Sequence, residues 1–221
     1  MWRIVDSRSV STCCARGYER FFGARTARRD ARRYRRKGLD KTARLIVDEL
    51  ARRGIAGATV LEVGGGIGAI GVELLKLGAA RVTIVELSHG YDDEAKALLT
   101  ESGFEGRVER LHGDFVAGES DIPTADVVVL HRVVCCYPDP DVLVGAAARH
   151  TRRLLALSFP REKWWIRIGS RAANVVLRLL CQFQSFVHPH EAILGPARAG
   201  GFTPVYAHSG RVWQVAVLES V

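Results

Sequence analysis

No uninterrupted apolar stretch in these 221 residues approaches the roughly 18 needed to cross a bilayer as a helix, so no transmembrane segment is expected. Residues 1–20 lack the apolar core of a secretory signal. They are rich in Arg and Ser but carry Asp6 and Glu19, which argues against a transit peptide. No Cys-x-x-Cys pair exists, and the five cysteines (Cys13, Cys14, Cys135, Cys136, Cys181) are odd in number. That argues against a structural zinc site, and no metal is expected. The thiols read as small buried hydrophobes of a chain kept in a reducing, cytoplasmic setting. Internal repeats and low-complexity tails are also missing.

Nearly half of the residues are hydrophobic, enough for one sizeable core with an extra arm or insertion. The net charge of +8 is local: residues 25–37 (RTARRDARRYRRK) hold most of the excess. On a helix, Phe21, Ala24, Ala27, Ala31 and Tyr34 recur at three- and four-residue steps and form a thin apolar stripe among arginines. This fits a solvated helix resting on the domain, a helix closing over a site for an acidic ligand, or a nucleic-acid arm. With one aromatic among the arginines there is little for bases to stack on, so nucleic acid is not the expected partner.

Periodicity places a helix over 39–53, with Leu45, Ile46, Leu50 and Ala51 inward and Gly54 ending it. Strands are expected at 59–63, 81–86, 107–112, 125–130 and 153–159, alternating with helices at 69–77, about 92–101 and about 140–150. The run Ala125–Leu130 (ADVVVL) is apolar throughout, as in a parallel strand buried on both faces. Strands at 202–208 and 212–218 flank Ser209 and Gly210 and read as a hairpin. The expected fold is α/β: a doubly wound, mostly parallel sheet with an antiparallel C-terminal hairpin, N-terminal helices, and a helical insertion before the last two strands. The apolar, aromatic stretch 160–195 is too long for a simple connection and reads as one or two helices. The domain reading is a basic helical arm or cap over 1–40 and the main domain over 41–221, with 160–195 as a cap over the substrate.

The densest signal is Val60-Leu61-Glu62-Val63-Gly64-Gly65-Gly66-Ile67-Gly68, followed by Gly71. A short apolar strand ends in a carboxylate, a glycine turn follows, and a helix begins. Backbone amides at such a helix start favour a polar or anionic ligand group. Two cofactor fingerprints overlap here. Gly66-x-Gly68-x-x-Gly71 fits the dinucleotide pattern. Glu62-x-Gly64-x-Gly66-x-Gly68 fits the acidic-glycine motif of enzymes that use S-adenosylmethionine (SAM). Taken from Gly66, the dinucleotide reading leaves Gly64 and Gly65 inside the strand, where glycine is unfavourable.

Further marks follow in order, and with them the chain resembles the class I, seven-strand, SAM-dependent methyltransferases over roughly residues 40–220. Glu86 ends the second strand of the series, Gly113-Asp114-Phe115 follows the third, residues 126–137 match the fourth motif, and Gly200-Gly201-Phe202 precedes the hairpin. The resemblance implies that Glu62, Gly64, Gly65, Gly66 and Gly68 hold the methionine part of SAM. It implies that Glu86, with Leu87 beside it, takes the ribose hydroxyls, and that Asp114 and Phe115 take the adenine. His131 lines the cofactor or acts as a base, and Tyr137 positions the acceptor. Tyr34, Arg36, Cys136, Trp164 and Trp165 are candidates for substrate contact. In-line methyl transfer needs alignment and, for some acceptors, a base; neither a metal nor a covalent enzyme intermediate is implied.

A narrower likeness is to magnesium-protoporphyrin O-methyltransferases, which resemble this chain at Gly17-Tyr18-Glu19-Arg20-Phe21-Phe22 and Tyr137-Pro138. Cys136 stands where that family has a histidine. The polynucleotide-methylation segment Asn/Asp-Pro-Pro-Tyr/Phe is absent after the fourth strand, and so is a Pro-Cys nucleophile. The expectation is a SAM-dependent methyltransferase releasing S-adenosylhomocysteine (SAH). Its acceptor would be a small, flat, apolar or carboxylate-bearing molecule. An RNA or protein methyltransferase, a non-catalytic SAM-binding module and a nicotinamide oxidoreductase are the alternatives. The oligomeric state is left open.

Overall fold

The structure, a computed structural model, describes residues 2–4 and 12–221, with side chains from residue 17 onward. The side chains of Cys13 and Cys14 lie outside the described residues. One sheet runs through the molecule. Its strands in chain order are β1 (Trp2–Ile4), β2 (Thr59–Val63), β3 (Arg81–Glu86), β4 (Val108–His112), β5 (Ala125–His131), β6 (Thr151–Pro160), β7 (Phe202–Ser209) and β8 (Trp213–Ser220). They lie side by side as β1-β4-β3-β2-β5-β6-β8-β7. The pairs from β1 to β6 are parallel, and β8 runs antiparallel between β6 and β7. Seven strands match the expected doubly wound sheet and hairpin. The eighth, β1, was not expected, because 1–40 reads as helical. It covers the edge of β4, whose backbone groups would otherwise stand unpaired there.

Helices pack on both faces. They are α1 (Thr12–Phe21), α2 (Ala24–Lys37), α3 (Lys41–Arg52), α4 (Ala69–Lys76), α5 (Asp92–Ser102), α6 (Pro140–His150), α7 (Trp164–Cys181) and α8 (His190–Ala199). The insertion over 160–195 thus holds α7 and the start of α8. Residues of β5 alternate between two apolar clusters, Val127 and Val129 toward one and Val128 and Leu130 toward the other. A strand of period two with a core on each side needs apolar residues at every position, which is why this stretch reads as continuous. Asp40 caps α3 by accepting from Thr42 N (2.9 Å) and Ala43 N (3.2 Å). Asp139 caps α6, with Pro140 in its first turn.

The order reverses between β2 and β5. In an open parallel sheet, the crevice beyond the C-terminal strand ends at that point is where ligands bind. The glycine run leaves β2 there, and His131 ends β5 beside it.

Candidate functional site

Gly64 leaves β2 with φ +64°, and its amide donates to Val85 O (2.7 Å). A Cβ at this position would lie 2.6 Å from Val133 Cγ2, so backbone and side chain touch there as only glycine allows. Gly68, at φ +78°, then starts α4. Glu62 faces the turn from within the sheet. It is buried, and its Oε2 accepts from Gly71 N (3.0 Å). Burial pushes its carboxyl up to about 8, against the Gly71 hydrogen bond and the attraction of Arg110.

Glu86 ends β3 as a buried carboxylate held by backbone. Oε2 accepts from Gly66 N (2.8 Å) and Oε1 from Ser88 N (2.9 Å). Burial raises its pKa, and the two amides and Arg110 offset part of that rise. α1 is latched over this corner through Glu19, which accepts from Ser88 Oγ (3.0 Å) and His89 N (2.8 Å). Tyr18, one residue earlier, packs on Phe22 (4.5 Å between centroids), and Phe21 stacks on Phe183 (4.7 Å), tying α1 to the chain just after α7.

Two cavities meet at Gly64, Val133 and Tyr18. The first, about 310 Å³, is lined by Leu87, Gly113, Asp114, Phe115, Cys136 and Tyr137 among others. The second, about 510 Å³, includes Glu62, Gly65, Gly66, Glu86, Tyr34 and His131, with Phe21, Phe22, Arg29 and Arg33. Asp114 Oδ1 accepts from Val116 N (2.9 Å) and Ala117 N (3.3 Å), which fixes the turn after β4.

His131 is held from both sides. Its Nε2 lies 3.3 Å from Asp40 Oδ2 and its Nδ1 lies 2.9 Å from Ser158 Oγ. Ser158 Oγ already accepts from Arg132 N (3.0 Å), so its proton is directed to Nδ1 and the imidazole donates through Nε2 to Asp40. Burial lowers the His131 pKa, leaving a neutral ring without a spare lone pair. Asp40 also takes Arg132 Nη2 (3.1 Å). Arg132 occupies the left-handed region (φ +61°), and its guanidinium lies over the Trp213 ring at 4.7 Å. Cys135 and Cys136 hold their sulfurs 3.8 Å apart. The hydrogen bond to Cys135, and then burial, push the Cys136 thiol up, so it stays protonated.

The structure brings most of the residues expected at the site together and leaves a few apart. Glu62, Gly64, Gly65, Gly66, Glu86, Tyr34 and His131 converge on the wider cavity, and Leu87, Asp114, Phe115, Cys136 and Tyr137 on the narrower one. Gly68 stands behind the loop as the start of α4. His131 and Tyr137 therefore line different cavities. Arg36 lines neither: it is exposed in a groove formed by Arg25, Arg28, Arg29, Arg32, Arg33 and Lys37 along one face of α2. Arg33, one helical turn before Arg36 and exposed on the same arginine face, also lines the rim of the wider cavity. Trp164 and Trp165 also line neither cavity and are exposed, because Ile166 is the buried residue at that end of α7. Missed by the sequence were Asp40, Ser158 and Tyr18. Asp40 reads only as a helix cap, Ser158 sits inside an apolar strand, and Tyr18 is meaningful only once α1 folds over Glu86. His89, Asp92 and His112 bring one metal-ligating atom each within 4.8 Å of one another, but Arg110 Nε already lies 3.3 Å from Asp92 Oδ1 and fills the role of the cation.

The fold has counterparts among known proteins. No curated protein matches the chain. Residues 60–156 match the family described as "Methyltransferase domain". Among solved structures, magnesium protoporphyrin IX methyltransferase from Synechocystis PCC 6803 with bound SAH superposes with TM-score 0.68 at 18% identity, covering 93% of this chain and 98% of that one. The same protein with bound SAM gives TM-score 0.65 at 17% identity, covering 98% and 100%. An O-methyltransferase family protein from Burkholderia thailandensis gives TM-score 0.69 at 20% identity, covering 93% of this chain and 63% of that one. The buried acid at the end of β3, the glycine turn after β2 and the acid–aromatic pair after β4 are a donor and acceptor set that suits SAM. The matched domain and the strand order give this chain the fold of these solved methyltransferases.

Proposed function

We propose that this enzyme methylates a small, flat acceptor that carries a carboxylate or a similar anionic group. The observation that carries the reading is the wider cavity, where the aromatic rings of Tyr18, Phe21 and Phe22 face the same space as Arg29 and Arg33, next to the glycine turn. Apolar walls with a few placed charges are the usual make-up of a small-ligand site. The solved structures support the class, since one acts on a magnesium porphyrin and another is named an O-methyltransferase family protein.

In this reading Phe115 and Leu87 of the narrower cavity would hold the adenine, and the Asp114 carboxylate would accept from its amino group. Glu86 takes the ribose hydroxyls at the junction, and Gly64–Gly66 with Glu62 cradle the amino-acid end. SAM supplies an electrophilic methyl on a sulfonium. The chain supplies alignment and exclusion of water: Arg33 and Arg29 orient the acceptor by its charge, and α1, latched through Glu19, closes the corner. His131 is assigned a positioning role, because both ring nitrogens are already engaged. Tyr137 and Cys136 wall the adenine side, with α1 and α2 as the cap. Residues 182–189 back this wall, where Phe186 N donates to Cys135 O (2.7 Å) and His188 Nε2 lies 2.9 Å from Tyr137 O.

Transfer of labelled methyl from SAM to a panel of flat aromatic acids, their methyl esters, RNA and protein tests this. Label is expected in the free acids. Arg33→Gln should raise KM for them about tenfold, the scale of one lost charge-assisted hydrogen bond, while kcat holds. Label confined to RNA or protein would replace the reading, and SAM binding without product would favour the non-catalytic module.

A further inference from the structure

α7 is 18 residues long, yet Ile166 is its only buried residue. Leu179 is 81% exposed, Trp164 73%, Leu180 70%, Val175 61%, Ile168 57% and Val176 53%. At about 100° per residue, Trp164, Val175, Ile168, Leu179, Ala172, Trp165, Val176 and Leu180 fall on one arc of about 160°. Arg167, Arg178 and Arg171 fall side by side along one edge of that arc, and Lys163 stands before the first turn. Residues 163–181 contain no acid. A helix with so little buried against its own domain gains little stability from it, and exposed apolar patches of this extent mark interaction surfaces.

We infer that α7 docks on an anionic lipid surface, its apolar arc set into the boundary between headgroups and acyl chains, with the arginine edge against lipid phosphates. Trp and Leu on one face with arginines along its border are the pattern of helices that lie in that boundary, and the net charge of +8 adds long-range attraction to an anionic leaflet. The same charges disfavour a second copy as the occupant. An antiparallel two-fold contact through this arc sets the arginine edge of one α7 near that of the other, and the one acid beside it, Glu162, is already taken by Arg167 at 3.8 Å. The surface is separate from the cofactor corner, since none of its apolar residues lines either cavity.

Flotation of the full chain with vesicles tests this, comparing phosphatidylcholine alone with phosphatidylcholine containing about one-third phosphatidylglycerol. Binding to the anionic vesicles is expected, at least about tenfold above the neutral ones, falling with salt and accompanied by a blue shift of tryptophan emission. The double substitution Leu179→Glu and Leu180→Glu should reduce binding about tenfold or more while leaving SAH affinity unchanged. SAH affinity thus reports folding and cofactor binding independently of the lipid result. Failure to bind anionic vesicles, equal binding to neutral ones, or unchanged binding by the double variant would overturn the inference. So would a dimer in sedimentation velocity that the double variant dissociates, since it assigns the face to a second copy.

Discussion

Glu86 concentrates the most chemistry in one side chain. It is buried, charged groups are costly to bury, and two amide donors and Arg110 offset part of that cost. Replacing it by Gln sets an amide group against one of those donors and removes the charged acceptor proposed for the ribose. Glu86→Gln is expected to weaken SAH binding about 10- to 100-fold by calorimetry, the range for a hydrogen bond to a charged partner; unchanged affinity would remove Glu86 from the site.

Glu62 makes a different prediction. Its folded-state value of about 8 stands above the roughly 4.3 of an unfolded chain. The folded state therefore holds the extra proton, and the stability it contributes is full below the unfolded value and is lost as pH rises through about 8. Melting temperatures measured across this window should fall for the native chain relative to Glu62→Gln, which cannot ionise. A constant gap between the two curves would mean that Glu62 titrates near its ordinary value. Both glutamates were legible in the sequence, because a carboxylate closing an apolar strand needs a partner. The partners were not: Gly71 N is fixed by the helix start, and the amides on Glu86 come from two separate loops.

Among elements, the glycine turn has the tightest fit. At Gly64 a side chain meets both an unfavourable positive φ and the Val133 methyl at 2.6 Å. Gly64→Ala should lower SAH affinity and cost on the order of 1–3 kcal/mol of stability. Val133→Ala in the same chain should recover part of the stability by removing the methyl, while the strain of positive φ remains. Recovery of none of it would show that the contact does not matter. The strand–turn–helix unit was readable from letters alone because its logic is local. α1 was not, since its packing depends on Phe183 and on Glu19 reaching Ser88 and His89. The tryptophans of α7 misled for a related reason: aromatic residues in an insertion suggest a lid, and only the position of Ile166 shows which face turns inward.

At the scale of the molecule, the order of strands decides where chemistry can occur. The strand order reverses between the paired strands β2 and β5 at the centre of the sheet, and the glycine turn, Glu86 and His131 gather at their C-terminal ends. The alternation of strands and helices, the continuous apolar β5 and the terminal hairpin gave the fold from sequence. The edge strand β1 escaped because three residues carry no periodic signal. The division of the site into two cavities escaped because it depends on where Tyr18 and Val133 come to rest. No described helix is long and apolar enough to cross a membrane.

The central claim is that the glycine turn and Glu86 hold an adenosyl amino acid rather than a dinucleotide. Titration calorimetry of the full chain with SAH and, separately, with NADH tests it most directly. The account predicts saturable SAH binding near one per chain, weakened by Glu86→Gln, and no measurable heat from NADH. Saturable NADH binding with none for SAH would contradict it.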